Sequence, residues 1–315
     1  MPELPEVEVL VRHLRPLLQN KTIRSVQVNR QRVLRNTSIR KFNQALRGAT
    51  FLNLVRRGKY LLFTLRTAKK TEALILAGHL GMTGRMYLLP TKAVLPKHTA
   101  VVLDLGRENF VFEDTRYFGR LTLDTDAIEK LGPEPLEKGF TAEVLAQALS
   151  RSAQPIKVKL LDQSVVAGLG NIYASEALFR AGISPRQPAE RLTFTQVEAL
   201  WRSLRAVLAE AITCGSTVPL NYSGLGDRDG LFYFGRLPAT PDFYEERLRV
   251  YDRAGRPCVQ CGRSIRRLVQ ASRSTFFCPY CQREQKKPST RPRVSKPSMR
   301  KIWLQRQGSN LQPAG

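Results

Sequence analysis

The chain has 315 residues, 42% of them hydrophobic, which is room for two domains and a sizeable core. No apolar run approaches ~18 residues, and Glu3, Glu6 and Glu8 stand where an export signal would be cationic and then apolar, so neither a membrane span nor a leader is expected. With 51 Lys and Arg against 26 Asp and Glu, the net charge is +25 and the pI near 10.5, which favours a polyanionic partner such as nucleic acid.

The chain opens Met1-Pro2-Glu3. A small residue at position 2 permits removal of Met1, leaving proline as a secondary amine. An α-amino group titrates at about 8 against about 10.4 for lysine, so Pro2 is a candidate nucleophile at neutral pH. Attack on a sugar C1′ would give an iminium ion that acidifies the neighbouring C–H, and Glu3 stands beside it to move protons. The same residues also read as an ordinary helix start with Pro5 in its first turn. Val7, Leu10, Val11, Leu14, Leu17 and Leu18 then recur at three- and four-residue steps, predicting an amphipathic helix over 5–18 whose positive dipole end faces Pro2 and Glu3.

From about Thr22 to Asp124 short alternating segments predict strands, at Val26/Val28, 60–65, 73–77, 101–105 and 110–112, and hence a β-sandwich or barrel. Arg56-Arg57-Gly58-Lys59-Tyr60 puts three cations at one strand entrance. Two glycine-containing loops follow, at 79–84 with Met82 and at 113–120 with Arg116 and Phe118; His98 lies between them. Gly132-Pro133-Glu134-Pro135 breaks both periods and reads as a linker. Helices are expected next, over 142–149 capped by Thr141, over 156–166, and from a capping box at Thr195-Gln196-Val197-Glu198 to Gly215.

Between the last two lies Gly168-Leu169-Gly170-Asn171, which is no dinucleotide fingerprint because Tyr173 stands where a third glycine belongs. It reads as a tight turn into a helix capped by Asn171, with free N–H groups able to hold a phosphate. Cys258-x2-Cys261-x16-Cys278-x2-Cys281 has the spacing of a closed four-cysteine site, expected to hold one structural zinc ion in a hairpin too small for its own core. Cys214 reads as buried and inert. The glycines and aromatics of 216–240 suit either a mobile loop over an extruded base or packing onto the ribbon. Residues 286–315 hold eight basic residues and no acid, and the stretch is expected to be a disordered tail.

The opening Met1-Pro2-Glu3-Leu4-Pro5-Glu6-Val7-Glu8 closely resembles that of the formamidopyrimidine-DNA glycosylases, bacterial base-excision repair enzymes, and 168–176 resembles their helix-two-turns-helix signature. The resemblance covers about 1–283. It implies catalysis by Pro2 and Glu3, with Lys59 and Arg273 contacting phosphate and assisting elimination. It also implies DNA contacts from His98, Arg116, Arg151, Lys157 and Asn171, and a duplex wedge of Met82, Arg116 and Phe118. Such a wedge is chemically required, since a base cannot be attacked at C1′ while stacked.

The fold expected is α+β and multidomain: an N-terminal β-sandwich with its helix (1–131), a linker and first helix (132–150), a helix-two-turns-helix domain with a lesion loop (151–240), a four-cysteine zinc ribbon (241–283) and a basic tail (284–315). The expected partner is damaged double-stranded DNA, bound by a monomer in the bacterial cytoplasm. Two rivals stay open, an endonuclease VIII-like enzyme for oxidised pyrimidines and a non-catalytic zinc-ribbon DNA-binding protein.

Overall fold

Alternating apolar residues in the first third of the chain build two antiparallel sheets. In the computed structural model, which describes residues 2–67, 73–214, 220–221, 231–232 and 248–284, one sheet orders its strands β1 (Ser25–Val28), β6 (Thr99–Asp104), β7 (Glu108–Asp114), β5 (Gly84–Pro90). The other orders β2 (Thr50–Arg57), β3 (Tyr60–Arg66), β4 (Leu74–His79), β8 (Arg120–Thr122). In β3 the buried residues alternate, Leu61, Phe63 and Leu65, so one face meets the core and the other does not. Phe63 packs edge-on against Phe51 of its own sheet and Phe110 of the opposite one, at 5.8 and 5.6 Å between ring centroids. Burial along β7 is nearly continuous because a small second cluster, Tyr87, Leu89 and Val111 with Ala93 and Leu95, covers its outer face.

Helix α1 spans Leu4–Leu18 and joins two cores. Val7, Leu10, Val11, Leu14 and Leu18 enter the sandwich, whereas Leu4 belongs to the apolar cluster of the helical region. That region contains α3 (Asp126–Glu129), α4 (Ala142–Leu149), α5 (Ile156–Leu160), α6 (Asn171–Arg180) and α7 (Phe194–Thr213); a shorter α2 (Ile39–Leu46) sits on the sandwich. Thr141 caps α4 as expected, accepting the Val144 N–H at 3.3 Å. Two boundaries differ from expectation. Helix α5 stops at Leu160, and the chain then turns at Asp162, whose carboxylate takes both the N–H and the hydroxyl of Ser164. The capping box of α7 is Thr193 with Gln196, two residues early, because Glu198 pairs along the helix with Arg202 instead.

Strands β9 (Leu220–Asn221) and β10 (Leu231–Phe232) pair briefly; the rest of the expected 216–240 loop, and the tail beyond Glu284, lie outside the described residues. The ribbon hairpin joins β11 (Arg266–Gln270) to β12 (Arg273–Phe277) through Ala271 and Ser272. Both have positive φ, 46° and 58°, as a two-residue hairpin turn demands, although neither is glycine. Among the described residues no helix is long and apolar enough to cross a membrane.

The linker is fastened to the sandwich. Glu134, 6% exposed, ion-pairs with Arg56 at 2.7 Å and Arg57 at 3.1 Å and accepts the Gly58 N–H at 2.6 Å. Arg57 also donates to the carbonyls of Leu131 and Gly132. The turn leading to Lys59 is thereby held by one buried carboxylate. Replacing Glu134 by Ala leaves Arg57 without its anion and Arg56 with Glu8 alone, at 2.9 Å, and should cost about 3 kcal/mol in urea unfolding; a loss below ~1 kcal/mol would mean that solvent already screens the pair.

Candidate active site

Helix α6 begins after Gly170, and the N–H groups of its first turn point inward. Those of Ile172 and Tyr173 meet the carboxylate of Glu3 at 2.8 and 3.4 Å. Gly170 makes this possible, since a Cβ there would stand 2.3 Å from the Glu3 carboxyl carbon. Gly168, at φ +82°, accepts the Leu4 N–H at 3.0 Å, and a Cβ on it would press on Leu4 at 2.7 Å. The turn expected to cradle a phosphate therefore receives the start of the chain, and the anion at this helix terminus is Glu3. Asn171 is the first helical residue and not the cap.

Glu6 completes the clamp by accepting the Glu3 N–H at 2.7 Å and the Tyr173 hydroxyl at 2.6 Å. Burial drives the Glu3 carboxyl up to about 7; Lys59 opposes the rise, Glu6 adds to it, and the two N–H groups oppose it. A carboxyl titrating there can both hold and release a proton at neutral pH. Pro2, one residue upstream, is buried.

Glu3, Lys59, Met82, Asn171 and Arg273 line one cleft of about 600 Å³, although they come from the sandwich, the helical region and the ribbon. Lys59 is 7% exposed, and burial lowers its ammonium; Glu3 counteracts this and Arg273 reinforces it. Lys157 is wholly buried, donating to the Asn171 side-chain oxygen and to the Ser274 carbonyl; burial and Arg273 bring it down to about 8. Asn171 in turn donates to Ser274 at 2.8 Å. Two expected phosphate contacts thus fasten the ribbon hairpin to the helical region, with Lys157 behind Asn171.

Arg151 is exposed past the end of α4, outside the residues lining the cleft. His98 also lies apart from the cleft, its Nδ1 3.4 Å from the Tyr117 hydroxyl.

The wedge loops are built on Asp114. Fully buried, it accepts the Thr83 hydroxyl at 2.6 Å and the N–H groups of Arg116 and Gly119 at 3.2 and 2.7 Å. Gly81, at φ +62°, lets the loops touch, because a Cβ there would be 2.6 Å from the Gly119 nitrogen. On this base Met82 and Phe118 are each 46% exposed, and the Arg116 guanidinium lies 4.9 Å from the Phe118 ring centre. Exposed apolar side chains on a rigid support are what inserting between base pairs requires.

Sequence reasoning missed several residues here. His79 lines the cleft; burial takes it down to about 4, so it is neutral at pH 7 and accepts the Gly81 N–H at 3.0 Å. Glu176, buried in α6, gathers the N–H groups of Arg249, Val250 and Tyr251 at 2.8–2.9 Å and so brings Tyr251 to the cleft. Asp114 carried a usable signal, an acid ahead of a glycine-ended turn. Glu176 had none, because its partners are 73–75 residues away.

The four ribbon cysteines place their sulfurs within 4.8 Å of one another, with Cys258–Cys281 at 3.9 Å and Cys261–Cys278 at 3.5 Å. Tetrahedral zinc with Zn–S bonds of about 2.3 Å spaces sulfurs by about 3.8 Å, whereas a disulfide needs about 2.05 Å. The group fits one structural zinc ion. Gln282 supports it, accepting the Cys278 N–H and donating to the Ile183 carbonyl.

Three family models match in chain order: the formamidopyrimidine-DNA glycosylase N-terminal domain over 1–121, the H2TH domain of the same enzymes over 131–220, and the zinc finger found in FPG and IleRS over 255–283. A formamidopyrimidine-DNA glycosylase of Thermus thermophilus is 42% identical over 291 residues, covering 90% of this chain and 99% of that one. That of Desulfitobacterium hafniense is 41% identical, covering 90% and 100%. The chain belongs to the formamidopyrimidine-DNA glycosylase family. It is a base-excision repair enzyme for oxidised purines, with the AP lyase activity general to that family. Among solved structures, Lactococcus lactis Fpg in complex with abasic-site DNA superposes with a TM-score of 0.78 at 30% identity, covering 90% of this chain and 100% of that one. The crystal structure of the Thermus thermophilus protein superposes at 0.73 with 41% identity and the same coverage.

The raised Glu3 carboxyl makes stability depend on pH. Shifted from 4.5 to about 7 in the folded state, it binds its proton more tightly than the unfolded chain does, so stability should fall as pH rises from about 4.5 to about 7 and level off above. Glu3→Gln should abolish that component, seen as a flatter dependence of Tm on pH; an unchanged slope would place the titration elsewhere. Chelation of the metal, or Cys278→Ser, should disorder the ribbon and weaken DNA binding, whereas Arg273→Ala should keep the fold and zinc content while slowing lesion processing.

Proposed function

We propose that the cleft carries out glycosylase and lyase chemistry through Pro2, Glu3, Lys59 and Arg273. With Met1 removed, the Pro2 nitrogen attacks C1′ of an extruded nucleotide, and the C1′–N9 bond breaks with its electron pair leaving on the base, which takes the Pro2 N–H proton. The C1′–O4′ bond then opens to give the iminium, its electron pair going to O4′, which is protonated as it departs. Glu3 supplies the proton this departure needs. Having given it up, the Glu3 carboxylate stands next to the positive centre of the resulting iminium and stabilises it. The iminium acidifies C2′–H, and removal of that proton expels the 3′-phosphate; a second elimination expels the 5′-phosphate. Lys59, whose ammonium is lowered by burial, would shuttle protons and hold a phosphate, and Arg273 would hold the phosphate leaving second.

Met82 and Phe118 would fill the space of the extruded nucleotide while Arg116 pairs with the orphaned base, and His98, Arg151 and Asn171 would complete the DNA contacts. Lys157, expected among them, is buried and would act by positioning Asn171. The division into 1–131, 132–150, 151–240, 241–283 and 284–315 belongs to the same proposal. So does a monomer working on damaged duplex DNA in the bacterial cytoplasm.

The observation carrying this mechanism is Glu3, a buried carboxyl near 7 lining a cleft beside a candidate amine nucleophile. Incubation with an 8-oxoguanine duplex and borohydride should trap one covalent adduct, mapped by peptide mass spectrometry to Pro2 and lost in a chain that retains Met1. Attachment at Lys59 would overturn the assignment.

A further inference from the structure

Beside the wedge lies a second cavity of about 300 Å³, lined by Arg32, Arg35, Tyr117, Phe118, Gly119 and Arg120. Three arginines line it, Arg35 lies close enough to Arg120 to disfavour its charge, and among the described residues none of the three forms an ion pair. The Arg120 Nε is buried without an acceptor, a costly state for a charged donor. Nearby carboxylates are already engaged: Asp124 accepts the Asn36 amide and the Asp126 N–H, and Asp114 holds the wedge loops.

The backbone is forced to make this arrangement. Arg35 sits at φ 56° and ψ −123°, and Tyr117 at φ 52°, conformations that side-chain-bearing residues rarely adopt. Tyr117 is braced as a wall by Arg30, 5.3 Å from its ring centre, and by His98 at its hydroxyl. Strained residues converging on like charges with an unsatisfied donor describe a site whose missing component is an anion.

Position says which anion. His79 of β4 and Arg120 of β8 are directly paired, about 5 Å apart at Cα in such a ladder. His79 lines the catalytic cleft and Arg120 the second cavity, and His79 feels Lys59 as well as Arg120 and Arg35. The first cavity reaches Met82 and the second reaches Phe118, so the wedge runs from one to the other. A duplex opened over it has its damaged strand at Glu3 and Lys59 and the undamaged strand on the Phe118 side. We propose that this cavity is a phosphodiester site for one backbone phosphate of the strand opposite the lesion, with Arg35 and Arg120 as donors and Arg32 at its mouth. The assignment rests on the DNA-repair reading above.

The test uses full-length, zinc-loaded protein and a duplex with a tetrahydrofuran abasic analogue, in which single phosphates of either strand are replaced by methylphosphonate. One or two adjacent replacements in the undamaged strand should weaken binding roughly tenfold, the order expected for a charge-assisted contact. Arg120→Gln should weaken the unmodified duplex by several-fold, make those replacements cost markedly less than in the unaltered protein because only Arg35 then remains as donor, and lower the salt slope by up to about one. Lesion-strand replacements should keep their penalty in this variant. Exposed Arg35→Gln provides the same cycle where Arg120→Gln does not fold. Fully additive losses at every undamaged-strand position would overturn the site. A saturable stabilisation by inorganic phosphate at fixed ionic strength, lost in Arg35→Gln and unaccompanied by strand coupling, would make it a free-phosphate site and overturn the strand assignment. No preference for the abasic duplex over undamaged DNA would overturn the repair reading itself, and this site with it.

Discussion

A carboxylate from the third residue of the chain occupies the N-terminus of a helix that begins 168 residues later, and the architecture of the cleft depends on that contact. Chain termini ordinarily fray, because few contacts offset the entropy of fixing them. Here the start of the chain is secured by the helix dipole and two N–H donors at Glu3, by Glu6 on its own N–H, and by the backbone bond from Leu4 to Gly168. A nucleophilic terminal amine is useful only if it is held still against its substrate, so this anchoring is a requirement of the chemistry and not only of the fold.

Helix α6 extends the same logic to the other parts of the molecule. Its first residue, Asn171, reaches the ribbon at Ser274; the next two N–H groups hold Glu3; and Glu176, within two turns, holds the chain at 249–251. The start of the chain, the ribbon hairpin and the segment leading into the ribbon are therefore referred to one rigid element. Placing a constellation on one helix limits the relative drift of its members more than loops would. The strained Ala271-Ser272 turn adjoins this point of attachment and presents Arg273 to the cleft.

Much of this was legible in the sequence where the signal is local. The four cysteines, the α1 stripe, the Thr141 cap and the strand alternation each follow from spacing, and the resemblance supplied Lys59, Asn171 and Arg273 as cleft residues. Reasoning failed where the deciding partner was distant. Gly168 and Gly170 advertise a backbone that something approaches closely, but composition does not say whether that is a phosphate or Glu3. Lys157, expected to contact DNA, is instead buried, held by Asn171 and by a carbonyl 117 residues away that no local pattern announces. Thr193 and Thr195 are indistinguishable as box residues on paper because both are followed three residues later by a suitable acid or amide, and only the i,i+4 pair of Glu198 separates them.

The electrostatics of the cleft give the DNA-free protein a direction. Lys59 and Lys157 are both pulled down by burial and by Arg273, while the carboxyl that would favour their charge, Glu3, is itself driven toward its neutral form. Each group is thus poorly compensated by the others, and adding a further protein carboxylate would compete for the space a substrate must enter. A phosphodiester entering the cleft relieves the crowding of cations without quenching Glu3, since it brings charge but accepts no proton near neutral pH. Binding of the backbone and retention of a proton on Glu3 are therefore separable in this geometry, which lets a strongly basic surface hold DNA tightly while leaving the acid at position 3 free for chemistry.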